Sequence, residues 1–199
     1  YSNVQEKFLP SVLFCANVDF VIMIWIAFIY CFYQDSRSEE TIYLKVNNDK
    51  IYWYSKILFM LSIAVLIALL GTLWPSLKSA HPLNYKNISY SFIIQFICSS
   101  IGLLLGMILQ VKVTGEKNKS ILSIIFIALI AMLKFPIIRE CYFFKYILWI
   151  FPPISDLTFA CVNTDTFSLS LLSIPLIYSI IYFLLEGILY YKIMKKLLF

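Results

Sequence analysis

Residues 8–33 read FLPSVLFCANVDFVIMIWIAFIYCFY, an apolar run broken by a single charge, Asp19. A helix needs about 20 predominantly apolar residues to cross a hydrocarbon core about 30 Å thick, and this run meets that length. Four further runs do the same, at residues 57–74, 90–111, 121–138 and 169–191. Charge or turn chemistry separates them: residues 35–56 carry eight charges, 75–86 hold Pro82 and the only histidine, His81, and 112–119 form a basic turn around Gly115. The whole chain agrees, with 61% hydrophobic residues, 14% charged and a mean hydropathy of +0.85, where a soluble domain carries about 25% charged. Irregular backbone cannot face lipid, because its amides would go unpaired. The expected fold is therefore an all-α integral membrane protein, one transmembrane domain over residues 1–199 built on five helices.

A sixth apolar patch, residues 142–161, contains Lys145, the pair Pro152-Pro153 and Asp156. Such interruptions disfavour a crossing, and the patch reads as a re-entrant or interfacial extracellular segment. Charge parity supports five crossings. One side then gathers Arg37, Lys45, Lys50, Lys56, Lys112, Lys117, Lys119, Lys192, Lys195 and Lys196, against Lys7, Lys78, Lys86, Arg139 and Lys145 on the other. The positive-inside rule puts the C-terminus in the cytoplasm of a plasma membrane and Tyr1 outside. Tyr52, Trp53, Tyr54, Trp74, Tyr90, Trp149, Tyr190 and Tyr191 fall at the expected headgroup depth.

Inside the spans the polar residues follow helical spacing. Gln95, Ser99, Gly102, Gly106 and Gln110 share one face of the third span, a seam along which a neighbouring backbone can approach closely and amides can bond across the contact. Tyr178, Tyr182, Glu186 and Tyr190 recur every four residues on the last span. Ionisable groups within a span, here Asp19 and Glu186, are candidate functional residues, although Glu186 lies toward the inner end, where its charge would reach the interface.

Several function classes are excluded. The net charge of +5 is spread over loops and tail without one basic face, which gives nucleic-acid binding no support. The five cysteines form no CxxC pair; Cys141 and Cys161 would pair only if that segment faces an oxidising exterior. One histidine cannot build a multi-histidine metal site. The adjacent Glu39 and Glu40 resemble the paired glutamates of intramembrane abortive-infection and prenyl-protease families, but those families need histidines on later helices. No nucleophile elbow or phosphate-binding glycine loop is present. The chain is expected to hold no catalytic residues, metal or cofactor of its own.

The loop between the first two spans is the most informative polar stretch. Ser36 with Glu39 makes a capping-box pattern, so a short helix can run through Glu40, Thr41, Ile42, Tyr43, Leu44 and Val46 and stop at Asn47-Asn48, with Asp49 capping the next helix. The expected rod of about ten residues, roughly 15 Å long, lies between two spans at the cytoplasmic surface.

In this layout the chain resembles the membrane subunits of type 2 ATP-binding-cassette exporters, of the bacteriocin-export and lantibiotic-immunity kind. The family's loop reads acid, Gly-Thr, an apolar stretch, then Lys entering the next span. Here Asp35-Ser36-Arg37-Ser38-Glu39-Glu40-Thr41-Ile42-Tyr43-Leu44 leads to Tyr54-Ser55-Lys56, with Glu40 where the family often has Gly. Gly102-Leu103-Leu104-Leu105-Gly106, Pro152-Pro153 and Tyr190-Tyr191-Lys192 follow in the family's order. The resemblance implies six spans with the first missing here, and a coupling helix formed by Glu39, Glu40, Thr41, Tyr43 and Leu44. It also implies a separate ATPase subunit holding ATP and magnesium, and a second permease subunit, identical or paralogous, completing a path through the lipid of a bacterial membrane. The cargo would be a hydrophobic or amphipathic peptide or lipid-like molecule. Two alternatives stand beside it. One is a substrate-capture subunit of an energy-coupling-factor vitamin importer, suggested by the seam Ala64-Val65-Leu66-Ile67-Ala68; the other is a structural subunit of a membrane complex.

Overall fold

A computed structural model of the chain describes residues 8–33, 45–46, 48–78, 85–159 and 169–197. Among these, all regular structure is helical. The elements are α1 (Phe8–Tyr33), α2 (Asp49–Lys78), α3 (Tyr85–Ile108), α4 (Val111–Thr114), α5 (Lys117–Glu140), a 3-10 turn (Tyr142–Phe144), α6 (Lys145–Leu148), α7 (Ile154–Phe159) and α8 (Leu169–Leu197). Five of them, α1, α2, α3, α5 and α8, are long and apolar enough to cross a membrane, as the sequence leads one to expect.

α1 has the expected bounds, while α2, α5 and α8 outrun their apolar windows at one or both ends. Helical hydrogen bonding does not stop where hydropathy falls, so the polar flanks stay wound. The third span also starts before its window, at Tyr85, but falls short at its other end. It ends at Ile108, not at residue 111, because Gln110 turns extended (φ −63°, ψ 159°) before the single turn of α4. Gly115 closes that turn at φ 78°, its N–H bonding Val111 O at 2.8 Å, in the left-handed region that favours glycine. At the start of α2 the capping residue is Asn48, not Asp49: Asn48 Oδ1 accepts from the N–H groups of Lys50 (3.1 Å) and Ile51 (3.3 Å).

α3 is the central helix, packed on α1 most extensively and on α2 and α8 as well. One apolar cluster joins α1 and α3 to α5 and α7 through Phe20, Ile94, Ile101, Ile124 and Leu157. A second joins the same pair to α2 and α8 through Met23, Trp53, Met60, Met107 and Tyr190. The outer faces of α2, α5 and α8 remain apolar and exposed, with Leu66, Leu70, Leu122, Phe126, Leu184 and Leu185 among them. Patches of that size have no place against water and suit lipid or another membrane subunit.

Helix ends gather as five passes require. Lys117 at the start of α5 stands over the ring of Phe32 at the end of α1 (4.6 Å). Trp53 near the start of α2 meets Tyr190 near the end of α8 edge-on (5.8 Å). Gln110 Nε2 donates to Met194 Sδ (2.8 Å). Lys112, Lys119, Lys192, Lys195 and Lys196 therefore collect at one end, the basic end. Tyr52, Trp53 and Tyr190 correct the expected aromatic girdle: all three are buried among the helices, Trp53 to 1% exposure, and form core. Tyr54, Trp74 and Trp149 are the exposed members.

The opposite end carries residues 142–159. The 3-10 turn, α6 and α7 are each shorter than two helical turns, and Pro152-Pro153 stands between α6 and α7. None is long enough to cross a membrane. Ile154, Ser155, Leu157 and Thr158 are buried, and α7 packs against α1, α5 and α8.

Candidate functional site

Three polar clusters lie within the bundle. One sits where α1, α2 and α3 meet. Gly71, one of the last turns of α2, presents its carbonyl to Gln95 Nε2 at 2.7 Å, and Ser91 Oγ lies 3.4 Å from the same nitrogen. A Cβ at position 71 would overlap both Gln95 Oε1 and Asp19 Oδ2. Both oxygens therefore face one small space that glycine leaves open. Asp19 is 5% exposed and Gln95 fully buried, and neither oxygen has a hydrogen-bond partner. Ser99 Oγ, one turn along α3, is buried without one too.

Asp19, Gln95 and Ser99, read from the sequence as intramembrane candidates, are thus all interior. Gly102 and Gly106 occupy the expected seam: added Cβ atoms would strike the carbonyl oxygens of Phe20 and Ile24 respectively. The seam is used within the chain, between α3 and α1. Gly71 was not singled out by spacing, since its role depends on which side chains α1 and α3 bring to it.

The second cluster surrounds Glu186. It does not reach the interface as its position suggested, being 6% exposed with Oε2 unpaired. The phenol ladder of α8 divides around it. Tyr178 and Tyr182 are half-buried and donate to the carbonyls of Trp149 and Ile150, the latter at 3.1 Å, whereas Tyr190 is fully buried in the core. On α2, Lys56 is buried with its Nζ over the rings of Tyr30 (5.7 Å) and Trp53 (5.6 Å).

The third cluster escaped the sequence reading. The ten and five basic residues of the two sides leave one of the sixteen unplaced, Lys134 inside α5. Its Nζ bonds Asp156 Oδ2 of α7 at 2.5 Å and lies 5.6 Å from the Tyr178 ring. Asp156, Phe135, Phe159 and Tyr178 line an open groove of about 380 Å³ beside this pair. The signal was present: a lysine within an apolar run implies a buried partner.

Glu39, Glu40, Thr41, Tyr43 and Leu44 lie outside the described residues, as do His81 and Cys161. Cys141 is exposed with a free thiol. Among the described residues no three His, Cys, Asp or Glu side chains converge as a metal site. No protein-family model matches this sequence, and comparisons with curated proteins and with solved structures find no match.

Proposed function

We propose that this chain is the membrane subunit of an ATP-driven exporter, with residues 39–46 docking against a separate ATPase that holds the ATP and magnesium. The observation that carries the reading is how the C-terminal flank of that stretch is rooted. Asn48 caps α2, and one turn beyond Trp53 the Lys56 ammonium is held over rings from α1 and α2. Trp53 in turn meets Tyr190 of α8. Each cation–ring contact is worth about 0.5–2 kcal/mol, so force applied to the loop is delivered to three long helices together, in the manner of rigid-body rocking.

The reading places the basic end in the cytoplasm of a bacterial plasma membrane, with residues 142–161 as a re-entrant extracellular cap. A second permease copy or paralogue covers the apolar outer faces together with lipid. The cargo is hydrophobic or amphipathic, because the spans offer few fixed charges to bind a strongly ionic one. The importer alternative loses its main support, since Ala64 and Ala68 are both fully buried within the chain and offer no seam to a partner.

Replacing Glu39, Tyr43 and Leu44 together with alanine should release the ATPase during co-purification while leaving the thermal unfolding of the bundle unchanged. Retention of the ATPase, with its hydrolysis still responding to the membrane subunit, would show that this stretch is not the docking element.

A further inference from the structure

The Asp19–Gly71–Gln95 junction holds an arrangement that disfavours a bare carboxylate. The orientation of the Gln95 amide is fixed by Gly71, whose carbonyl can only accept: the nitrogen must face it, at 2.7 Å, and Oε1 must face away. On that side stands Asp19 Oδ2. Two acceptor oxygens thus share one enclosed space, both buried and both without a donor. An unpaired buried acceptor costs about 1–3 kcal/mol, and a charged one more. A single positively charged ligand between them removes both penalties.

The geometry points to an intramembrane cation site whose occupant is a proton, carried on Asp19 Oδ2 and donated to Gln95 Oε1. A proton suits the site better than a metal ion because it needs one donor oxygen and one acceptor, which Asp19 Oδ2 and Gln95 Oε1 supply, whereas Na⁺-sized ions take several oxygen ligands. The thiols of Cys15 on α1 and Cys98 on α3 are close enough to the carboxyl to feel its charge. Among the described residues no ion pair involves Asp19, and α2 contributes the backbone carbonyl of Gly71 at this point. The proton thereby ties α1 to α3, while α2 is tied to α3 through Gln95 and seals the site. Any movement lifting α2 away admits water to the carboxyl and lets the proton leave, so opening of this junction is linked to proton release. This site does not depend on the exporter reading.

Infrared spectra of the purified full chain at neutral pH test it. The wild type should show the C=O stretch of a protonated carboxylic acid. Asp19→Asn should abolish one component of that band, and Glu186→Gln should leave that component in place. Gln95→Leu should keep the Asp19 component but move it to higher frequency, as loss of an acceptor requires. This variant keeps the test decisive if Asp19→Asn fails to fold. A band unaffected by Asp19→Asn, or one unmoved by Gln95→Leu, would overturn the assignment. So would an Asp19 component that disappears when NaCl is titrated into sodium-free buffer, since the occupant would then be sodium.

Discussion

Asp156→Leu should lower the stability of the detergent-solubilised chain by about 3 kcal/mol, read as a fall in the midpoint of thermal unfolding. The side chain of Lys134 is 5% exposed and that of Asp156 32% exposed. Removing the acid leaves an ammonium buried beside the Tyr178 ring with no counter-charge. Breaking a buried pair costs about 3–5 kcal/mol, and the partial exposure of Asp156 puts this case at the low end. The double replacement Lys134→Met with Asp156→Leu should recover most of the loss, because no uncompensated charge is then left buried. Equal destabilisation by the single and double variants would show that the cost comes from altered packing of α7 and not from the ion pair. The same pair, with the bonds from Tyr178 and Tyr182 to the carbonyls of Trp149 and Ile150, holds residues 142–159 against the bundle. The single variant should therefore also raise proteolytic cleavage within that segment.

The second large effect belongs to the seam between α1 and α3. Gly102→Val should cost about 3 kcal/mol, at the upper end of the penalty for overfilling a packed interior. The obstacle is the carbonyl oxygen of Phe20, a backbone atom that no rotamer change can move aside. Gly187→Ala, where an added methyl would meet only Leu104 Cδ1 at 3.9 Å, should be nearly neutral and serves as the comparison. A Gly102→Val protein as stable as the wild type would mean that α1 and α3 can separate without cost, contrary to a bundle built around α3.

Much of this fold was legible in the sequence because a bilayer leaves few choices: apolar runs of sufficient length become helices, and charge marks their ends. The seam Gln95, Ser99, Gly102, Gly106 was legible for a similar reason, as helical periodicity alone puts those residues on one face. What periodicity cannot supply is the partner across the contact. Gly71 stands at no recurring spacing on α2, yet it alone permits Asp19 and Gln95 to share a space. Lys134 was submerged in the average hydropathy of its run, and only the return of α7 brings Asp156 to it. The cap at Asn48 was missed by one residue, since Asn and Asp are nearly equivalent in that role. Trp53 and Tyr190 carry the composition of a headgroup girdle but fill the core, because they face one another across α2 and α8.

The same division applies to function. Asp19 and Glu186 stood out as acids within apolar runs, and the fold adds that both are enclosed by protein, not lipid. The capping-box pattern at Ser36 and Glu39 suggests a rod but not what it touches. The anchoring of its flank through Lys56, Tyr30 and Trp53 emerged only in three dimensions.

The central claim is that a cytosolic ATPase engages the stretch between α1 and α2, and photo-cross-linking from position 43 in native membranes tests it most directly. With Tyr43 replaced by a photoreactive residue, illumination should yield a covalent adduct with a nucleotide-binding subunit, and that adduct should be lost when the ATPase gene is deleted. Adducts only with lipid, with extracellular protein or with nothing would contradict it.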